Sequence, residues 1–224
     1  MKNIRILAAI AALALTATAQ ASTAYTQALS FNGDGGPNSF YGQVMFDAFK
    51  LSDAANISGV EWYGDNAANS FAPTQSFNIA IHDSNGSRVG TSLFSSLVQA
   101  NAVDTGWTDG GGDNLFKFQA SFAPLSLAAG HTYWLTVSDS ATPDSVDFTH
   151  LFRWANGGSG FTGDVGNYVY INHNLDSYQI GSDDSRSQAA YSLTTSAVPE
   201  PESYAMMLAG LAALGVMARR KKTS

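Results

Sequence analysis

Apolar and polar residues alternate in short runs through the middle of the chain, from residue 25 to residue 195. In SFNIAIHD, the apolar residues Phe77, Ile79 and Ile81 occupy every second position, and NLFKFQASF at 114–122 follows the same spacing. A period of two is typical of β-strands with one buried face and one wet face. Because no stretch of twelve or more residues here has helical apolar spacing, we predict an all-β body.

Clusters of Gly, Asn, Asp and Ser separate these runs, as in NGDGGPNS, DSNGS and TDGGGDN. Gly supplies positive φ and Asn or Asp closes local side-chain turns, so the clusters predict loops. Short strands with turns at this spacing favour a two-sheet β-sandwich of the jelly-roll type. The predicted strands are 25–31, 40–51, 57–63, 76–81, 91–98, 114–122, 131–138, 150–154, 167–171 and 189–194.

The N-terminal segment, MKNIRILAAIAALALTATAQASTA, has the three parts of a secretory signal peptide. Lys2 and Arg5 precede an apolar stretch, and small residues follow it. We predict cleavage between Ala21 and Ser22, which makes residues 1–21 a signal peptide and residues 22–197 an extracytoplasmic domain. An ordinary first helix is the alternative.

The C-terminal segment contains a fifteen-residue run without charge, from Tyr204 to Ala218. Four basic residues follow it at once: Arg219, Arg220, Lys221 and Lys222. The run is shorter than the ~20 residues that cross an average bilayer, but the basic cluster and the predicted export favour a single transmembrane helix. By the positive-inside tendency, we expect the four basic residues, a cytoplasmic basic stop, to remain in the cytoplasm and residues 22–203 to lie outside the cytoplasmic membrane.

Ahead of that run stands Val198-Pro199-Glu200-Pro201. The Pro-Glu-Pro, the short apolar helix and the terminal basic cluster together resemble the PEP-CTERM sorting signal, which would span residues 198–222. The resemblance implies processing by exosortase, a membrane transpeptidase, after export by the secretion machinery. It also implies transient inner-membrane anchoring and then delivery to the cell surface or extracellular matrix; a permanent single-pass anchor is the alternative. The segment is also labelled an ice-binding protein C-terminal domain, but the body has no Thr-x-Thr ladder.

The exported part is strongly acidic and has no cysteine. From Ser22 to Val198 there are five basic and sixteen acidic residues, which gives a net charge of −11. Such a body is repelled by nucleic acid, so we expect no nucleic-acid partner. The lack of cysteine excludes thiol chemistry and Cys-ligated metals.

Catalytic motifs are absent from the body. The closest match to a nucleophile elbow, GGSGF at 157–161, lacks the final glycine. A glycosidase needs two carboxyl groups that flank the scissile bond, and Glu61 is the body's one glutamate. The four histidines are scattered singly, with no HExxH motif. We therefore predict no enzymatic activity.

Acidic glycine-rich loops raise calcium as a candidate cofactor, because carboxylate and amide oxygens are the ligands that Ca²⁺ takes. In TDGGGDN, the candidate ligands are Asp109, Asp113 and Asn114; NGDGG offers Asp34. Neither loop has EF-hand spacing, and Asp-Gly is also ordinary turn chemistry, so plain turns are the alternative.

The aromatic residues suggest a second kind of site. Sugars stack their apolar faces on Trp and Tyr, and we take Trp107 and Tyr63 as candidate ligand-binding residues. Trp62, Trp134 and Trp154 lie inside apolar strands, which predicts core packing. Residues 57–66 and 124–140 resemble lectin-like β-sandwich ectodomains. The expectation is a non-enzymatic surface or matrix protein that binds polysaccharide in a biofilm; the alternatives are a structural or adhesive matrix protein and a polysaccharide-degrading jelly roll.

Overall fold

The structure is a computed structural model that describes residues 21–30, 43–86, 88–140, 151–157, 168–172, 177–180, 188–196 and 210. Thr23–Thr195 forms one compact unit, and Met1–Ser22 and Ser196–Ser224 belong to another. All the described strands lie in the first unit.

Twelve strands form within the described residues. In chain order they are β1 (Thr23–Gln27), β2 (Gln43–Lys50), β3 (Ala55–Asp65), β4 (Thr74–Asn85), β5 (Arg88–Asn101), β6 (Val103–Thr108), β7 (Asn114–Leu127), β8 (Thr132–Asp139), β9 (Arg153–Trp154), β10 (Tyr168–Asn172), β11 (Ser177–Ile180) and β12 (Tyr191–Thr195).

The strands pair antiparallel into two sheets. The first sheet has the order β1-β12-β3-β7-β6, with β9 paired to the end of β3, and the second has the order β11-β10-β2-β8-β4-β5. From β1 to β4 the chain changes sheet at every strand. The all-β sandwich predicted from the alternation is confirmed.

The core lies between the two sheets and is dominated by aromatic side chains. Phe77 of β4 meets Trp62 of β3 edge to face at 5.1 Å between ring centroids, and it meets Phe118 of β7 at 5.0 Å. Phe77, Ile79 and Ile81 are all fully buried, as the alternation in SFNIAIHD predicts. Edge-to-face rings add to the free energy of burial because each positive ring edge meets a negative ring face.

Every predicted strand overlaps an observed one, while β6 and β11 were not predicted. Both unpredicted strands lie at a sheet edge, where each pairs with one neighbour, β7 or β10. An edge strand needs less apolar surface than a central one, so its sequence carries a weaker alternation. The prediction that Trp62, Trp134 and Trp154 are core residues is confirmed, since all three are fully buried.

In the part of the chain that the structure describes, no helix has the length and apolar character needed to cross a membrane. The predicted apolar helix at 204–218 lies outside the described residues except for Gly210, and the predicted signal peptide lies outside them except for Ala21.

Candidate functional site

An open groove lies beside β1, β3, β6 and β12 of the first sheet and the residues that follow β1. Its volume is about 540 Å³. The lining residues are Thr26, Gln27, Ala28, Leu29, Tyr63, Trp107 and Ser192. The structure thus brings together Trp107 and Tyr63, the two aromatic residues that the sequence singled out as a candidate ligand site.

Trp107 is placed by a bulge in β6. Asp104 pairs with Phe116 and Thr108 pairs with Asn114, so three residues of β6 lie opposite one residue of β7. The turn needs a left-handed residue, and Gly106 provides it with φ of 72°. The Gly106 N–H donates to Asp104 Oδ1 at 2.8 Å. The Trp107 side chain is 52% exposed, which is unusual for so large an apolar group.

Tyr63 is placed by the alternation of β3. Trp62 points into the core, so Tyr63 points to the other face of the sheet, where its ring packs near Leu115 and Ala190. The Tyr63 hydroxyl donates to Glu61 Oε1 at 3.2 Å. Partial burial, and then the negative charge of Glu61, raise the pKa of Tyr63 above its ordinary value. The hydroxyl therefore stays protonated and remains a donor at neutral pH.

Short polar side chains complete the groove. Thr26 Oγ1 and Ser192 Oγ lie 2.8 Å apart across β1 and β12. Gln27 is buried, and its Nε2 donates to Gln188 Oε1 at 3.3 Å. The lining thus combines two aromatic groups with hydroxyl and amide groups, which is the chemistry that holds polyhydroxylated ligands.

A second candidate site is a cluster of three carboxylates at the end of β3. One carboxylate oxygen each from Asp65, Asp109 and Asp113 lies within 4.8 Å of the others. Asp65 ends β3, while Asp109 and Asp113 flank the glycine loop between β6 and β7. The Arg153 guanidinium joins the cluster by ion pairs from Nε to Asp65 Oδ1 and from Nη2 to Asp113 Oδ2.

Arg153 reaches Asp65 because β9 packs closely on the end of β3. Gly64 pairs with Trp154, and Asp65 pairs with Arg153. A Cβ atom on Gly64 would overlap Phe152 Cε2 and would lie 2.7 Å from the Arg153 carbonyl oxygen. Residue 64 must therefore be glycine for β9 to approach, and this approach sets the ion pair.

The glycine loop is held by its own aspartate. Asp109 Oδ1 accepts hydrogen bonds from the Gly111 N–H at 2.9 Å and the Asp113 N–H at 2.8 Å. From the β3–β4 loop, Asn69 Nδ2 donates to Asp113 Oδ1 at 3.2 Å, and Asn69 Oδ1 accepts from the Asn114 N–H. These bonds fix the side chains of Asp109 and Asp113 relative to the end of β3.

Two buried carboxylate oxygens of the cluster have no hydrogen-bond partner among the described residues. The Asp65 side chain is fully buried, and its Oδ2 has no hydrogen-bond partner among the described residues; the same is true of the buried Oδ2 of Asp109. Burial raises the pKa of Asp65 to about 7, although Arg153 lowers it, and the charges of Asp109 and Asp113 raise it further. One arginine therefore does not compensate the cluster.

Sequence reasoning found Asp109 and Asp113 but missed Asp65 and Arg153. Asn114 takes part through its backbone N–H, as described above. The signal for Asp65 was its position directly after the core residues GVEWYG, at the end of a central strand, where its side chain is buried. Asp34, the sorting residues Pro199, Glu200 and Pro201 and the basic stop 219–222 lie outside the described residues; Ala21 and Ser22 are exposed.

Comparison with known protein families matches residues 197–222 to the PEP-CTERM protein-sorting motif. The match confirms the resemblance drawn from the sequence. The motif implies an exported protein that an exosortase-type membrane enzyme sorts, with transient membrane anchoring before surface display. No curated protein matches the chain. The motif covers residues 197–222 and carries no information on the role of Thr23–Thr195.

Proposed function

We propose that Thr23–Thr195 is a lectin-like jelly roll that binds extracellular polysaccharide without catalysis, at the cell surface or in a biofilm matrix. The observation that carries this proposal is the groove in which the exposed Trp107 and the outward-facing Tyr63 lie together. Export and sorting would deliver that groove to the place where such polysaccharides occur.

The strand order supports a jelly roll. Within the first sheet the order is β1-β12-β3-β7, and within the second it is β2-β8-β4-β5. Two Greek keys wound together produce this exchange of strands between sheets, and many lectins are built in that way. β6 then extends the first sheet beyond the eight strands, and it is the strand that carries Trp107.

Sugar recognition suits the groove's physical character. The C–H faces of a pyranose ring stack on aromatic rings, while its hydroxyl groups exchange hydrogen bonds with Ser, Thr, Gln and Tyr. The bulge at Gly106 fixes the backbone that carries Trp107, so less ordering is required when a ligand binds. The groove is open, so an internal segment of a long polysaccharide could lie in it.

The charge of the body narrows the ligand class. With a net charge of −11 from Ser22 to Val198, the protein repels polyanions at low ionic strength. The expected ligand is therefore a neutral polysaccharide.

A non-catalytic role is supported by the groove's lining. None of the described lining residues is a carboxylate. Glu61 accepts a hydrogen bond from Tyr63, which lines the groove, but Glu61 itself does not line it. Its Oε2 forms an ion pair with Lys117 Nζ at 2.7 Å. A glycosidase needs two carboxyl groups, one on either side of the bond, and the described lining of the groove offers neither.

Affinity gel electrophoresis with soluble neutral polysaccharides, such as β-glucan, galactomannan and dextran, tests the proposal. We expect at least one of them to retard the full chain, and Trp107→Ala to weaken binding by about 5–10-fold. Leu97→Ala is the matched control, because Leu97 is also an exposed apolar strand residue, at 62%, and it does not line the groove.

Retardation by none of the polysaccharides, or equal retardation of Trp107→Ala and the parent, would favour a structural or adhesive matrix role instead. Release of reducing ends from any of these polysaccharides by the purified chain would favour the degrading enzyme.

A further inference from the structure

We propose that Asp65, Asp109 and Asp113 form a binding site for one divalent cation, of which calcium fits best. The site does not depend on the polysaccharide groove. One oxygen from each residue lies within 4.8 Å of the others. Oxygens that share one Ca²⁺ at about 2.3–2.6 Å lie at most about 5 Å apart, so the three carboxylates are close enough to hold a common ion.

Two carboxylate oxygens in the cluster point to a missing partner. Asp65 Oδ2 and Asp109 Oδ2 are both buried, and neither has a hydrogen-bond partner among the described residues. The Asp65 side chain has no exposed surface at all. A buried ionised oxygen without a partner is strongly unfavourable, because it has lost its water and gained nothing. A cation bound among the three carboxylates would give such an oxygen a partner.

The charge count agrees with a divalent ion. When all three carboxylates are ionised they carry −3, and Arg153 returns +1, which leaves −2 around the buried Asp65 side chain. Arg153 is committed to Asp65 Oδ1 and Asp113 Oδ2, so the other oxygen of Asp65 remains for the ion. One divalent cation neutralises the remainder, and a monovalent cation does not.

The donor set selects among divalent ions. All three side-chain donors are hard carboxylate oxygens, with neither His nor Cys in the cluster, which disfavours zinc and copper. The remaining ligands would be water and loop carbonyl groups, an irregular set that Ca²⁺ accepts. Mg²⁺ demands a near-ideal octahedron at about 2.0–2.1 Å, which a loop and a strand end supply less readily.

An ion at this site would be bound by residues from segments that are distant in the sequence. Asp65 ends β3, Asp109 and Asp113 hold the β6–β7 loop, and Arg153 brings in β9. The ion would therefore stabilise the folded domain against unfolding.

The experiment is a calcium titration of the full chain after treatment with EDTA, followed by isothermal calorimetry and by thermal unfolding. We expect one site, and a rise in Tm of about 5–10 °C when free Ca²⁺ exceeds the dissociation constant 100-fold. Asp109→Asn should weaken binding at least tenfold. This variant keeps the Oδ1 acceptor for the Gly111 and Asp113 N–H groups, so the loop can still fold.

Asp53→Asn is the matched control. Asp53 is exposed and lies in the β2–β3 turn, where it accepts from Ser52 Oγ, so its replacement should leave calcium affinity unchanged. Three results would overturn the proposal. The first is no heat and no rise in Tm at about 10 mM Ca²⁺, a concentration above the dissociation constants of the weakest extracellular calcium sites. The others are an equal rise in Tm with NaCl at matched ionic strength, and a calcium affinity in Asp109→Asn equal to that of the parent.

Discussion

Asp47 and Asp65 are both buried aspartates, but their surroundings differ. Asp47 lies within β2, and Asp65 is the last residue of β3. Asp47, on β2, is 3% exposed and accepts a hydrogen bond from the Ala189 N–H at 2.5 Å. Burial raises its pKa to about 8. Asp65 has the ion pair with Arg153, and its pKa is nevertheless raised to about 7.

The neighbours of each carboxyl group explain the difference. Tyr25 and Tyr191 face Asp47, and burial raises the pKa of both hydroxyl groups, so they are neutral at every physiological pH. Asp65 faces a cation and two more aspartates, whose charges oppose the effect of Arg153. Asp47 has no charged neighbour among these groups, so it becomes neutral by holding a proton. Asp65 lies beside two more carboxylates, and a cation bound there would compensate the charge of all three. Asp65 is therefore the better candidate for a site.

The largest expected effect comes from the removal of Arg153. Arg153→Met leaves Asp65 buried without a cation, and we expect the free energy of unfolding to fall by about 3 kcal/mol. Urea denaturation in EDTA at neutral pH measures this loss. The change should persist at high salt, because buried charges are screened little.

Arg88→Met is the matched control for that prediction. Arg88 begins β5 and is exposed, so its replacement should change stability by less than about 0.5 kcal/mol. Equal losses in the two variants would mean that Asp65 does not depend on Arg153, and the contrast with Asp47 would disappear.

A smaller effect, and one that depends on pH, is expected at Asp47. Its carboxyl group has a folded pKa of about 8 against an ordinary value of 3.8, so the folded state holds a proton that the unfolded state releases. This contribution to stability is complete below about pH 4 and is lost as the pH rises through 8. Asp47→Asn removes it, so the variant should gain on the parent by about 1.4 kcal/mol per pH unit between pH 5 and 7. Urea denaturation at three pH values measures the slope.

Asp47→Ala separates the charge from the hydrogen bond. It also removes the titrating group, so the slope relative to the parent should equal that of Asp47→Asn. Its stability should be lower than that of Asp47→Asn by about 1–3 kcal/mol at every pH, because the buried Ala189 N–H loses its acceptor. A stability difference that does not change with pH in either variant would show that Asp47 is ionised in the folded state.

The sandwich could be predicted from the sequence because its core strands repeat with a period of two. Phe77, Ile79 and Ile81 show this pattern without interruption, and the structure buries all three. The strand order could not be predicted in the same way. Whether β12 inserts between β1 and β3 depends on long-range pairing, such as Ser192 with Glu61, and alternation along one strand does not encode its partner.

The sites were predicted in part for a similar reason. Trp107 and Asp109 lie beside the glycine cluster of residues 110–112, and their residue types and this local context marked them as a candidate ligand-binding residue and a candidate metal ligand. Asp65 and Arg153 are 88 residues apart, and their contact depends on the close approach at Gly64. Asp47 follows no local rule, because it occupies the core-facing position between Met45 and Phe49 that alternation assigns to an apolar residue.

The smallest effect is expected at Glu61, a carboxylate that remains in contact with water. Its ion pair with Lys117 is 2.7 Å long, but the two side chains are 25% and 40% exposed. Lys117→Met should lower the free energy of unfolding by no more than about 1 kcal/mol, and the loss should vanish in about 1 M salt, since water and ions screen an exposed pair. Urea denaturation at low and high salt measures both, with Lys50→Met as the control for loss of a partly exposed lysine. A loss as large as that of Arg153→Met would mean that burial does not set the strength of these ion pairs.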